Sequence, residues 1–450
     1  MTMADRKGPK SDEAAWQGGR RILLDCTQTI ATPRSAGIPR VVRNIARHAA
    51  AAARHQAVLV PVWFDQDRFF SLGLTSAGDI VAPLQPQPVQ LHPLLVRLRK
   101  LLVPRTIVRA VRREWRKLRW RIGWPPPGEV IEFGPDDTLL LADSSWGIDY
   151  WSVVDAARAK GTRLGVVQYD FIPHTHPELV PKKLPTTFRF WMRNALERAD
   201  FVAAISESVA VEARDELRRA NRDPEGNRPL VRSFRLGADV KPQAKADPPR
   251  AELAAFVEAA DAGPYLTVGT IEPRKNQTIL LDAFERIWKD APDARLLVAG
   301  FVGWRGDEVV DRLRSHPRYG THLLHFGDLS DAELLYAYRH ARALVFPSRA
   351  EGYGLPIVEA LAHRMRVFAS DIPPHREVGQ SHCVYFPPQD PAALAEQVVR
   401  FERDGVFAAD RAEGDFSPPT WRRAIEQLME IAFAAEPKAV GQSRPDRVAA

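Results

Sequence analysis

The sequence predicts an α/β protein built from two doubly wound domains, and three observations carry that expectation. Its 450 residues exceed what one ordinary core encloses. Short apolar runs alternate with amphipathic stretches along the chain, the pattern of βαβ units around parallel sheets buried on both faces. These runs form two series, separated by the proline-rich, charged segment KPQAKADPPR at 241–250.

The first nineteen residues, MTMADRKGPKSDEAAWQGG, lack the apolar run of a signal peptide and read as a disordered tail. RRILLDC, AVLVPVWF, TLLLAD, RLGVVQY and FVAAIS supply the strands of an N-terminal domain over 20–245. The stretch 91–127 interrupts this rhythm as an insertion. Within it Leu94, Leu95, Leu98, Leu101 and Leu102 share one helical face, and a similar face with arginines opposite continues after Pro104. YLTVGT, ARLLVAG, HLLHFGD, ARALVFPS, RVFASD and CVYFPP supply a C-terminal domain over 260–415. An apolar helix at 416–435 can pack on either domain, and 436–450 reads as a second tail.

Composition narrows the class. With 45% apolar and 26% charged residues, and no apolar run long enough to span a bilayer, a soluble protein is expected. Cys26 and Cys383 lie in separate apolar runs, as buried thiols of a cytoplasmic protein rather than a disulfide or metal pair. The net charge of +7 is uneven: eleven Lys and Arg stand between 91 and 121 against Glu114 alone, so the remaining body is mildly acidic.

The most informative stretch is EGYGLPIVE, Glu351 to Glu359, following the strand-like ALVF. Its glycines permit close backbone approach, and Pro356 suits the first turn of a helix whose free N–H groups point back at the loop. That arrangement suits a phosphate or diphosphate at the carboxyl end of a parallel strand. Glu359 is placed on the first helical turn within reach of ribose hydroxyls, and Glu351 within reach of a sugar on the outer phosphate. A plain helix entry with dipole-favoured acids accounts for the stretch equally well. It is not a dinucleotide fingerprint, because Ile357 stands where a third glycine is required. A second piece, YLTVGTIEPRKNQ, places Arg274, Lys275 and Asn276 between a strand ending at Gly269 and a helix beginning near Gln277. Alone it reads as a solvated basic turn, but beside EGYGLPIVE its two cations suit a diphosphate.

GTIEPRKN, GDLSDAELLYAYRHARALVFPS, EGYGLPIVEALA and RVFASDIPPHREVG resemble the retaining glycosyltransferases of family 4, a GT-B-fold group in which two Rossmann-like domains face a cleft. The similarity is dense from 265 to 390 and looser through SAGIPRVVRNIA, YDFIPHTHPE, AISES and FRLGAD. The resemblance implies that Arg274 and Lys275 hold the diphosphate and stabilise the charge released on it, while Glu351 binds the donor sugar and Glu359 the ribose. Gly352, Tyr353, Gly354 and Leu355 would offer backbone amides. Gly37 and Arg40 fall where the family has its glycine loop, and Asp170 lies on the acceptor side. Many relatives carry His before that acid, where this chain has Tyr169. Ser206, Gly237 and Asp239 match family loops weakly. The implied reaction proceeds on the donor's front face with no protein nucleophile, metal or cofactor; the nucleotide sugar is a substrate.

Other signals are set against this reading. Asp65 and Asp67 in WFDQDRF resemble a metal-binding DxD, but a solvated loop is preferred. His174 and His176, near Asp170, read as incidental rather than as metal ligands, and His325 and His363 as structural or surface residues. The basic stretch 91–122 suits an anionic membrane surface or a plain solvated helix, and no nucleic-acid module accompanies it. The expected function is transfer of a sugar, mannose from GDP-mannose as first candidate, to a growing surface glycan or lipid-linked saccharide. The expected location is the cytoplasm or the inner membrane face. The alternatives are a nucleotide-sugar 2-epimerase and an inactive scaffold on the same fold.

Overall fold

The structure is a computed structural model that describes residues 19–32, 37–65, 67–81, 128–220, 228–238, 248–259, 262–411 and 414–435. The insertion at 91–127, most of the expected linker, Asp239 and nearly all of the two expected tails lie outside these residues. The chain is mixed α/β with parallel sheets. It divides into two compact units, one of 1–145, 149–163 and 440–450, the other of 146–148 and 164–439. No helix among the described residues is long and apolar enough to cross a membrane.

In the first unit, strand β1 (Arg20–Asp25) leads into helix α1 (Ile38–Arg47). Gly37 is the residue before that helix, and Arg40 lies in its first turn. Strands β2 (Ala57–Asp65), β3 (Arg68–Ser71), β4 (Gly73–Leu74), β5 (Ile80–Val81) and β6 (Asp137–Leu141) follow, then helix α2 (Trp151–Ala159). The order is β3-β2-β1-β6, with β1 parallel to both neighbours and β3 antiparallel to β2. Ile22, Leu23 and Leu24 are fully buried because the sheet is covered on both sides. Arg21 donates twice to the Asp137 carboxylate at 2.6 and 2.7 Å, tying β1 to β6. Asp65 and Asp67 form the β2–β3 hairpin turn, where Asp65 faces Arg68 and Asp67 is exposed.

At the carboxyl ends of β1 and β6 a pair of acids is buried. Asp25 accepts from the Thr27 amide at 3.0 Å, from the Thr27 hydroxyl, and from Ser145 Oγ at 2.7 Å. Asp143 accepts from the amides of Gln28, Thr29 and Ser144 at 2.8, 2.6 and 2.8 Å. Burial pushes both carboxyls above their ordinary range, and for Asp143 the neighbouring Asp25 adds to the effect.

The second unit holds β7 (Arg163–Gln168, its first residue belonging to the other unit), helix α3 (Leu184–Arg198), β8 (Phe201–Ala204), α4 (Glu207–Arg219) and β9 (Leu230–Ser233). These three strands are parallel in sequence order. After helix α5 (Ala251–Glu258) come β10 (Tyr265–Val268), α6 (Gln277–Asp290), β11 (Leu296–Ala299), α7 (Asp307–Arg314), β12 (Leu323–Phe326), α8 (Asp331–His340) and β13 (Ala343–Phe346). Then follow α9 (Leu355–Ala362), β14 (Arg366–Ser370), α10 (Pro373–Gly379), β15 (Cys383–Phe386), α11 (Pro391–Asp404) and α12 (Trp421–Ala434). The six strands β10 to β15 form one parallel sheet in the order β12-β11-β10-β13-β14-β15. Its order reverses between β10 and β13, which opens a crevice at their carboxyl ends. Tyr265, Phe284, Phe368 and Phe386 fill its core. Helix α12 packs on β8, with Thr420 as its cap. Both cysteines are buried and free.

Candidate active site

The two sequence-predicted pieces are the loops that leave β10 and β13, the pair of strands flanking the crevice. After β10 the chain makes one tight turn at Pro273–Lys275 and reaches Asn276, which adopts a left-handed conformation at φ 61°. Its side-chain amide donates to the carbonyls of Pro347 and Pro388 at 3.0 and 2.8 Å, fixing the turn against the end of β13. The loop after β13 begins at Pro347 and ends at Gly354, whose φ of 111° is the left-handed entry to α9.

This geometry brings Arg274, Lys275 and Glu351 together. One oxygen of Glu351 accepts from Arg274 Nη1 at 2.7 Å and the other from Lys275 Nζ at 2.5 Å. Arg274 also pairs with Glu272 at 2.8 Å and donates to the Ala350 carbonyl at 3.2 Å. Lys275 stands over the ring of Phe346, 5.0 Å from its centroid. Burial alone would raise the Glu351 carboxyl, but Arg274 and then Lys275 outweigh it and hold the group at about 2. Burial pushes the Lys275 ammonium down, and Glu351 only partly restores it. Arg274 rises above its ordinary range in spite of burial, because Glu351 and Glu272 both face it, so Lys275 is the cation whose burial is not fully compensated.

Gly352 is required for a reason the sequence does not reveal. A side chain there would begin 1.8 Å from the carbonyl oxygen of Tyr169, so this loop lies directly on the backbone leaving β7. Asp170 follows. Its Oδ1 accepts from the Ile172 amide at 3.0 Å, burial raises its carboxyl, and the Arg274 charge works against that rise. Ser206 donates to the Gly352 carbonyl at 2.7 Å and caps α4 by accepting from the Val209 amide at 3.1 Å. Tyr353 is buried with its hydroxyl on the Leu236 carbonyl, 3.0 Å away. Among the described residues, the amides of Gly352, Tyr353, Gly354 and Leu355 donate to no carbonyl or side chain. This leaves four N–H groups for an anion at the start of α9.

One sequence expectation changes, the placement of Glu359, and the remaining histidines and Gly237 take ordinary structural positions. Glu359 is the fifth residue of α9, past the first turn, because the helix begins only at Leu355. It is buried, and its Oε2 accepts from the Tyr338 hydroxyl at 2.9 Å. His174 faces Glu216 at 3.4 Å and His176 faces Thr175 at 2.9 Å, so each histidine turns to its own neighbour. His325 is buried, with Nε2 on the Gly300 carbonyl at 2.8 Å, and His363 lies against the Tyr338 ring. Gly237 is a packing glycine beside Trp421.

Sequence reasoning missed Glu272, Tyr338 and His375. His375 is wholly buried beside Phe346, and Nδ1 lies 3.0 Å from the Ser370 carbonyl. A carbonyl only accepts, so Nδ1 carries the proton and Nε2 presents a lone pair, with no partner among the described residues. Burial lowers this imidazole to about 4 even with Glu351 close by. A histidine just inside a helix opened by two prolines, in DIPPHREVG, was the available signal.

Comparison with known proteins finds similarity to glycosyltransferases. The family described as Glycosyl transferases group 1 matches residues 255–414. The chain is 31% identical over 307 residues to the serotype-specific mannosyltransferase WbdA of Escherichia coli, an alignment covering 67% of this chain and 38% of that protein. To the O-antigen chain mannosyltransferase B of Escherichia coli it is 27% identical, covering 52% of this chain and 60% of the other. The chain thus spans less than two thirds of each relative. Sucrose-phosphate synthase from Thermosynechococcus elongatus superposes with a TM-score of 0.57 at 20% identity, over 93% of this chain and all of the other. The fold is therefore GT-B.

Proposed function

Because residues 255–414 are a glycosyl transferases group 1 domain, we propose that the chain is a retaining glycosyltransferase using a nucleotide-diphosphate sugar. Mannose is the first candidate, since the relatives named above are mannosyltransferases, and GDP-mannose the first donor to test. The acceptor is a growing surface glycan or a lipid-linked saccharide, met at the cytoplasmic face of the membrane. The basic stretch 91–122, outside the described residues, is a candidate contact to that surface.

One observation carries this reading. The Arg274–Lys275–Glu351 cluster sits beside four unpartnered amides at the switch point of a parallel sheet. In the proposed reaction the donor diphosphate takes the two cations from Glu351 and also receives amides of Gly352 to Leu355. The freed Glu351 carboxylate turns to hydroxyls of the donor sugar, and Glu359 accepts from the ribose. As the glycosidic bond breaks, the negative charge gained by the diphosphate is met by Arg274 and Lys275. The leaving phosphate oxygen takes the acceptor's proton on the same face, so the chain supplies no nucleophile. The two cations do the neutralising that a metal does in other transferases. Asp170, on the acceptor side, approaches the same charges from β7.

A thermal-shift panel of nucleotide sugars and nucleoside mono- and diphosphates tests the donor site, because ligand bound to the native state raises Tm. The expected result is a shift with one nucleoside diphosphate and its sugar conjugate, reduced in Lys275→Ala. Equal shifts with mono- and diphosphate would remove Lys275 from the site, and no shift with any ligand would turn the reading to an inactive scaffold. Release of the free diphosphate without an epimerised sugar separates transfer from 2-epimerisation.

A further inference from the structure

His375 is a wholly buried titratable side chain to which the proposed reaction gives no part. It lies in α10, which opens on Pro373 and Pro374 just after β14. Nδ1 is committed to the Ser370 carbonyl, whereas Nε2 is buried with no partner among the described residues. Buried polar groups are paired as a rule, and the exceptions mark strain or function. The unpaired edge of this ring faces the loop from Gly352 to Leu355. A Cβ built on Gly354 would stand 3.3 Å from Cδ2, the carbon bonded to Nε2. The rings of His375 and Phe346 are 5.1 Å apart, and Lys275 Nζ lies 5.0 Å from that same Phe346 ring.

Two charges act on the imidazole: Glu351 favours a proton there and Lys275 opposes one. The other ionisable groups on or against α10 are engaged elsewhere. Arg376 pairs with Asp371, Glu377 accepts from the amides of Glu207 and Ser208, and Glu359 accepts from Tyr338. The Tyr385 hydroxyl donates to the His375 carbonyl, not to the ring. In the free chain Glu351 already holds two cations, and burial keeps the imidazole neutral down to about 4.

We propose that binding of a sugar nucleotide protonates His375 on Nε2, so that an imidazolium takes the place of the departing cations beside Glu351. The inference rests on the proposed transferase reading, in which Arg274 and Lys275 pass to the diphosphate. Lys275 then no longer opposes the proton, and Glu351 is left with sugar hydroxyls. Asp25 and Asp143 show that neutral hydrogen-bond donors alone do not hold a buried carboxyl down in this chain. A cation does, and His375 is placed to become one. Of the two groups that could take the proton the imidazole is the stronger base, about 6.5 against about 4.3 before perturbation. The proton comes from solvent, and no covalent bond to the ligand forms or breaks. Because the complex holds this proton more tightly than the free chain, affinity is greatest at low pH. It falls as pH rises from about 4, the free value, through the value in the complex.

Titration calorimetry of the full chain with GDP-mannose and with UDP-glucose, in buffers of different ionisation enthalpy at about pH 5.5, tests this. Neither conjugate has a phosphate that titrates near neutrality, so a buffer-dependent heat reports protons bound by the chain. The slope should give about 0.5–1 proton taken up per ligand, and affinity should fall roughly three- to tenfold between about pH 5 and 6. His375→Asn keeps a donor for the Ser370 carbonyl but binds no proton, and should bring the slope to zero and flatten the affinity profile. His375→Gln repeats the test should the first variant fail to fold. Uptake that persists in these variants assigns the proton to Glu351 or Asp170 and overturns the proposal. Binding without buffer-dependent heat also overturns it, and leaves the nucleotide thermal shifts and the transferase reading standing. No binding of either conjugate counts against the transferase reading and removes this inference with it.

Discussion

Two groups of buried carboxylates close the ends of parallel strands in this chain, and they are satisfied in opposite ways. Asp25 and Asp143, after β1 and β6, are held by hydroxyls and backbone amides. Glu351, after β13, is held by two cationic side chains. Neutral donors leave the first pair repelling each other, so burial dominates and both carboxyls rise. Cations reverse the balance at Glu351. Under the proposed transferase reading, the difference separates a staple from an exchangeable site. Amide and hydroxyl donors built into the first loop have no reason to leave, whereas cations paired with a carboxylate can pass to a stronger anion.

Breaking the cationic cluster should have the largest effect. Glu351→Ala leaves Arg274 and Lys275 buried against each other, and a loss of about 3–5 kcal/mol is expected in urea unfolding, together with loss of turnover. Undiminished turnover would remove Glu351 from the site. Next comes Gly352→Ala, whose new carbon meets the Tyr169 carbonyl, a backbone atom that cannot swing aside. A cost of about 3 kcal/mol is expected, and an unchanged midpoint would mean the two loops separate freely.

The comparison sharpens in its pH dependence. Glu351 is depressed, so its stabilisation is present above the unfolded value and lost as pH falls from about 4.3 through 2. Asp25 and Asp143 are raised, so theirs is present below about 3.9 and lost as pH rises through their elevated folded values. Asp25→Asn keeps the acceptor for Thr27 and can donate to Ser145. It should flatten the mildly acidic limb of the Tm profile and stabilise the chain at pH 8 by on the order of 1–3 kcal/mol. A steeper limb in this variant would show that the pair does not share its repulsion. The smallest expected effect is Ser206→Ala, about 1 kcal/mol for the lost α4 cap, measured by the same unfolding curves.

These contrasts show what was legible in the sequence. Eleven apolar runs became strands because burial on both faces writes itself as Val, Leu, Ile and Phe. The short edge strand β3 and the half-buried β9 carry weaker signals and were not anticipated. Within the site, Glu351, Arg274 and Lys275 could be named because each lies just after a strand, where a local pattern suffices. Glu272 was passed over as one acid in a basic turn. The load on Gly352 comes from Tyr169, 183 positions earlier, and no spacing rule spans that distance. Likewise the pairing of Glu359 with Tyr338 depends on how α8 and α9 lean together. Asp25 and Asp143 were not singled out, since an acid ending a strand is ordinary until its partner, 118 residues on, is known.

The contact of Gly352 with Tyr169, and of its carbonyl with Ser206, also bears on how donor preference could be engineered. A shuffling experiment that joined residues 248–435 to a foreign first half would graft the loop without the backbone it rests on. The better crossover lies at the seam near 163, so that β7, β8 and α4 travel with Glu351. Recombination libraries cut there should retain activity more often than those cut in the proline-rich segment at 241–250.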